Sequence, residues 1–133
     1  MKLEGNVKCV GYTSEEKKIY YFHVSDMLIL PSFTEGFPNI YCETMAAGIP
    51  FIGTHVGGLV DVFQDKKQGL VIKSNPPKPE EISEKIFELM DNLKLIRQIS
   101  ENNLRDAKDK YDVKIVIAKL DNIYQEMLDI QRK

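Results

Sequence analysis

Met27-Leu28-Ile29-Leu30 is apolar throughout, with no polar residue alternating between its members. A strand with one wet face alternates. A strand without alternation is covered on both faces, as in a parallel sheet layered between helices. Three other β-rich runs accompany it: Val7-Lys8-Cys9-Val10, Phe51-Ile52-Gly53-Thr54 and Leu70-Val71-Ile72. Between the first two runs, residues 14–23 have helical composition, with Thr13 or Ser14 placed to cap the helix. Between Leu30 and Phe51, the stretch from Pro38 to Ala47 is helical in composition and Gly48-Ile49-Pro50 stops it. Strands and helices alternating at this spacing predict βαβ units, hence an α/β fold with a mainly parallel sheet of about four strands.

The texture changes after residue 73. Ser74-Asn75-Pro76-Pro77-Lys78-Pro79 is a Pro-rich connector that suits neither a regular helix nor a central strand. Residues 80–133 are helical in pattern. Ile82, Ile86, Leu89 and Leu93 form one apolar stripe, which Ile96 and Ile99 continue; Leu120, Ile123, Tyr124 and Met127 form another. Such stripes are expected to pack on the sheet and on each other.

Several classes of function fall away. A formal charge of −2 leaves no basic surplus for a general nucleic-acid binder. The longest aliphatic run is far shorter than the roughly 18–20 residues of a spanning helix, and no signal-peptide core opens the chain, so a cytoplasmic location is expected. Cys9 and Cys42 read as two reduced core thiols. G-x-G-x-x-G and G-x-S-x-G are absent, and Leu59 stands where a Walker lysine would follow Gly53 and Gly58. With two histidines and no paired cysteines, no metal site is expected.

The chemistry concentrates between Asp26 and Asp61. The apolar run ends in Pro31-Ser32, a turn follows through Glu35-Gly36-Phe37, and a helix opens near Pro38. Ligands of open α/β sheets collect at the carboxyl ends of strands, where unpaired N–H groups of a helix's first turn bind anions. Glu35 precedes that turn and Glu43 lies inside the helix, two carboxylates suited to accept from sugar hydroxyls. An anion with hydroxyls, such as a nucleotide sugar, satisfies both features. The spacing alone says little, because Glu80 and Glu88 repeat it on a helix expected to be solvated.

Asp26 to Ser32, Glu35-Gly36-Phe37-Pro38-Asn39, Glu43 to Pro50, and Val56-Gly57-Gly58 together resemble the retaining glycosyltransferases of family 4. The resemblance implies the Rossmann-like, donor-binding C-terminal domain of a GT-B enzyme, present in part: residues 1–73 carry the sheet and donor site, 74–79 the connector and 80–133 the helices. It implies that Glu35 acts at the donor sugar as the catalytic glutamate and that Glu43 holds the ribose. Gly36, Phe37, Asn39 and Ile40 would lend backbone groups to sugar and diphosphate, Gly11 and Tyr12 would flank the base, and Gly57 and Gly58 would approach the donor. The substrate would be a UDP- or GDP-sugar, with no cofactor and no metal. Pro38 replaces a glycine common in the family, so diphosphate contacts fall to the Asn39 and Ile40 amides.

The family's Arg and Lys on an earlier segment, and its acceptor-binding N-terminal domain, have no counterpart here. The chain alone is therefore expected to be inactive. The alternative is a non-catalytic or split-subunit nucleotide-sugar-binding module that needs a partner chain. The resemblance allows the intact enzyme a peripheral association with a membrane. In the family's strand order, 3-2-1-4-5-6, the four runs match strands 3 to 6, and Val7–Val10 is expected to slide beside Met27–Leu30. Lys17 and Lys18 read as solvated surface charges, His55 as a bystander, and Tyr111 and Tyr124 as helix-packing residues. Cys42 faces the core, with nothing near it to activate a thiol.

Overall fold

The computed structural model describes residues 5–131, so both ends of the 1–133 span fall outside the described residues. The elements are α1 (Glu15–Val24), β1 (Leu28–Leu30), α2 (Asn39–Ala46), β2 (Phe51–Thr54), α3 (Leu59–Val62), β3 (Gly69–Ile72), α4 (Pro79–Met90), α5 (Leu93–Asp106) and α6 (Val113–Gln131). A π-helical turn, Ala107–Tyr111, joins α5 to α6. Local chemistry sets the helix starts. Ser14 accepts from the Lys17 amide at the head of α1, and Asn92 accepts from the Leu95 amide, 2.9 Å away, at the head of α5. Pro79 occupies the first turn of α4, where a missing N–H costs nothing.

The sheet is parallel with order β1-β2-β3, pairing Ile29 with Ile52 and Ile52 with Leu70. Every residue of β2 and β3 is buried, as non-alternating strands covered on both faces require. Alternate residues of β2 serve two cores. Phe51 joins Tyr41, Met45, Leu59, Phe63 and Val71; Ile52 joins Leu70, Ile72, Leu89 and Ile99.

The sheet has three strands, not four. Val7–Val10 forms no strand, and Val7 and Val10 are exposed. Val10 and Leu28 line one concavity instead of sharing a ladder. No strand among the described residues lies on the outer side of β1, and this segment shares no ladder with it. An extended segment without a ladder partner keeps its backbone hydrated instead. β1 is therefore an edge strand, with Ile29 partly exposed. Cys9, expected in the core, is exposed with this segment.

The helical half departs from expectation in one respect. Ile82, Ile86, Leu89, Ile96 and Ile99 pack as the stripe predicts, whereas Leu93, at the start of α5, is exposed. On α6, Leu120, Ile123, Tyr124 and Met127 are all exposed, so this stripe does not pack on the sheet. Tyr111 does pack, against Tyr41 and Phe37. Asn103 of α5 is wholly buried and donates to the carbonyls of Ile49 (2.8 Å) and Gln68 (3.0 Å), the residues leading into β2 and β3. One side chain thus ties two strand entries to the covering helix.

Glu81 on α4 holds the start of the connector. Its carboxylate accepts from the amides of Lys73 (2.7 Å) and Ser74 (2.9 Å). The Ser74 side chain and these two amides hold its carboxyl down to about 2. Since the folded value is depressed, the stabilisation is present above the unfolded value of 4.5 and is lost as pH falls through that value towards 2. Glu81→Gln is expected to melt about 2–5 °C below the native chain at neutral pH. Circular dichroism melts should show the gap closing as the medium becomes strongly acidic. A gap that does not vary with pH would count against this role.

Candidate functional site

Three loops meet beyond the carboxyl ends of the strands. After β1 the chain runs through Ser32 to Pro38; after β2 it passes His55 to Gly58; after β3 it enters the connector. Thr54 donates to the Ser32 carbonyl at 2.6 Å, and Asn75 reaches the Phe33 carbonyl at 3.4 Å. The Gly58 amide donates to the Gly36 carbonyl at 2.6 Å. Gly57 adopts φ +56°, and a Cβ there would stand 1.8 Å from the Glu35 carbonyl oxygen. The glycine pair is therefore the bed on which the Glu35-Gly36 backbone rests, a role in local packing that any ligand contact would add to.

Glu35 is half-buried, and the Ser32 hydroxyl donates to its Oε1 at 2.6 Å. That bond orients the carboxylate, and among the described residues none bonds to Oε2. Beside it, α2 begins with Pro38 as its cap residue. No side chain caps the helix, and no acidic residue sits in its first turn. The amides of Asn39 and Ile40 are first-turn donors, which have no intrahelical acceptor, at the positive end of the helix dipole. Asn39 is exposed and Ile40 half-buried. Phe37 is partly exposed and stands edge-on to Tyr41, its ring centroid 6.2 Å away.

Glu43 lies one turn further along α2. Its Oε1 is 2.9 Å from Lys18 Nζ on α1, and the same ammonium is 3.0 Å from Glu15. The hydrogen bonds that the Lys18 ammonium donates to Glu43 and Glu15 raise its pKa. This corrects the expectation of a fully solvated Lys18. The sequence carries no signal for the contact, which joins two helices. Lys18 also lines a concavity with Gly11, Thr13 and Ile40, so Gly11 and Ile40 share one recess. Tyr12 is fully exposed outside it.

The remaining candidates lie apart. Burial, and then the Glu43 charge, push the Cys42 thiol up, which disfavours a nucleophilic thiolate. His55 is exposed and lines a separate recess with Asp61, Asp65 and Lys73. Among the described residues, no three His, Cys, Asp or Glu side chains are grouped to hold a metal ion. Likewise, no helix among them is long and apolar enough to cross a membrane. The chemistry on offer is an open helix N-terminus for an anion with the Glu35 carboxylate before it, while Glu43 opens onto recesses lined by α1 and by the Ala107–Tyr111 turn.

A helix-flanked parallel sheet with such a site beyond its strand ends is a Rossmann-like domain of the GT-B glycosyltransferase type. The sequence model of the glycosyl transferases group 1 family matches residues 1–106, and the chain belongs to that family. It is 30% identical to an uncharacterised glycosyltransferase of Methanocaldococcus jannaschii, MJ1178, over 93% of this chain and 34% of that protein. It is 26% identical to the capsular polysaccharide biosynthesis glycosyltransferase CapM of Staphylococcus aureus, over 92% of this chain and 31% of CapM. The chain thus spans about a third of the length of these relatives. Among solved structures, sucrose-phosphate synthase from Thermosynechococcus elongatus superposes with a TM-score of 0.84 at 21% identity, over 96% of this chain and 32% of that one. HepE of Anabaena, in complex with UDP-glucose, superposes with a TM-score of 0.81 at 19% identity, over 93% of this chain and 33% of HepE.

Proposed function

We propose that this chain is the donor-binding part of a retaining glycosyltransferase, which moves a sugar from a nucleoside diphosphate to an acceptor hydroxyl. The observation that carries this reading is Glu35, oriented by Ser32 and bedded on Gly57 and Gly58, beside the uncapped first turn of α2. The diphosphate takes the Asn39 and Ile40 amides, with Gly36 and Phe37 alongside. Glu35 accepts from hydroxyls of the donor sugar, and Glu43 from those of the ribose. Gly11 and Tyr12 flank the base. Catalysis rests on positioning and on stabilising the departing diphosphate.

The chain alone is inactive as a transferase on this reading, because acceptor binding and half of the phosphate clamp come from elsewhere in the protein or from a partner chain. Two surfaces uncovered among the described residues favour that view: the edge of β1 and the apolar stripe of α6. Isothermal titration of the chain with UDP and with GDP tests the site. One of the two is expected to bind, and Glu43→Ala to weaken it by about tenfold or more, the worth of a hydrogen bond to a charged group. No binding by the native chain, or equal binding by the variant, overturns the proposal.

A further inference from the structure

Glu43 is already engaged before any ligand arrives. Lys18 reaches it from α1 across 25 positions of sequence, touching only Oε1. Among the described residues none bonds to Oε2, and the carboxylate is partly exposed. We propose that Lys18 is a positioning residue for ribose recognition: it fixes one oxygen of Glu43 so that the other faces the nucleoside hydroxyls. This rests on the ribose-binding role given to Glu43 above.

The reasoning is energetic as well as geometric. Both side chains are about one-third exposed, 31% for Lys18 and 36% for Glu43. A pair in such a setting adds little to the stability of a fold. It does narrow the freedom of a glutamate with three rotatable bonds, and orientation fixed beforehand lowers the entropy lost on binding. Glu15 holds the same ammonium from one turn earlier on α1. The three groups form a chain, Glu15–Lys18–Glu43, whose Glu15 end is mostly exposed. Phe22 and Ala47 line the recess around it, which sets the pair against an apolar wall.

The test uses the nucleoside diphosphate, UDP or GDP, that the native chain binds more tightly, together with its 2′-deoxy and 3′-deoxy forms. The native chain is expected to disfavour at least one deoxy form by about tenfold, the penalty for leaving a carboxylate acceptor unused. Lys18→Met is expected to weaken the parent nucleotide about three- to tenfold and leave that deoxy form nearly unchanged, so discrimination shrinks. Lys18→Arg should retain most of it. The melting temperature of Lys18→Met should stay within a few degrees of native, which separates positioning from folding. Equal weakening of all three ligands, unchanged discrimination in Lys18→Met, or no discrimination by the native chain overturns the inference. If Glu43→Ala binds as the native chain does, the donor reading fails first. If Glu43→Ala is impaired and Lys18→Met is not, only the role of Lys18 fails.

Discussion

Replacing Gly57 with alanine is expected to destabilise the fold by roughly 3 kcal/mol and to abolish nucleotide binding. Two costs combine. The left-handed backbone, at φ +56°, strains any residue with a Cβ. That Cβ would also meet the Glu35 carbonyl oxygen at 1.8 Å, which forces the loops after β1 and β2 apart. The bond from the Gly58 amide to the Gly36 carbonyl would break, and Glu35 would lose its bed. Gly11 supplies the control. It has φ +63°, but a Cβ there meets nothing within 4 Å. Gly11→Ala should cost only the backbone strain, about 1 kcal/mol, or a melting shift of about 4 °C against roughly 10 °C for Gly57→Ala. Equal melting shifts for the two variants would show that the loop contact contributes nothing.

Tyr41→Ala is expected to cost about 3–5 kcal/mol, a large share of the roughly 5–15 kcal/mol that holds a small domain together. Tyr41 is wholly buried on α2, and its ring lies 5.2 Å from Phe51 and 5.7 Å from Phe63, centroid to centroid. Burial pushes its hydroxyl pKa well up, so the group is neutral at any working pH. Truncation would leave a cavity between α2 and the sheet and loosen the helix that presents both Glu43 and the first-turn amides. Tyr41→Phe should cost less than about 1 kcal/mol, because the hydroxyl reaches only the Val62 carbonyl at a long 3.5 Å. Urea denaturation of the two variants measures the difference. A Tyr41→Ala protein as stable as the native chain would show that the cluster is not the main support of α2.

What the sequence disclosed followed from how local each signal was. The apolar runs that became β1, β2 and β3 carry their burial in their own composition, so a parallel sheet could be inferred without a partner in view. Val7–Val10 has a similar composition and forms no strand, because strand formation also needs a neighbour's backbone. The stripe on α6 failed in the same way. Periodicity says that a face wants cover, not which element supplies it. At the site, the positions of Glu35 and Glu43 relative to the turn and helix were readable from order along the chain. Lys18 was not, since its contact with Glu43 depends on how α1 lies against α2. The tight approach of Gly57 to Glu35 was equally hidden, because a glycine's reason to be glycine resides in the atoms around it.

The strands neighbour one another in the sheet in the order in which they occur in the chain. Each parallel pairing therefore closes only a short crossover, and the entropic cost of bringing the partners together is small for a parallel sheet. One face of that sheet, carrying Ile52, Leu70 and Ile72, stays open until Leu89 of α4 and Ile99 of α5 cover it. Asn103 can reach the Ile49 and Gln68 carbonyls only after α5 docks. During synthesis, the loops that carry Glu35 and Gly57 would meet while α6 is still emerging from the ribosome.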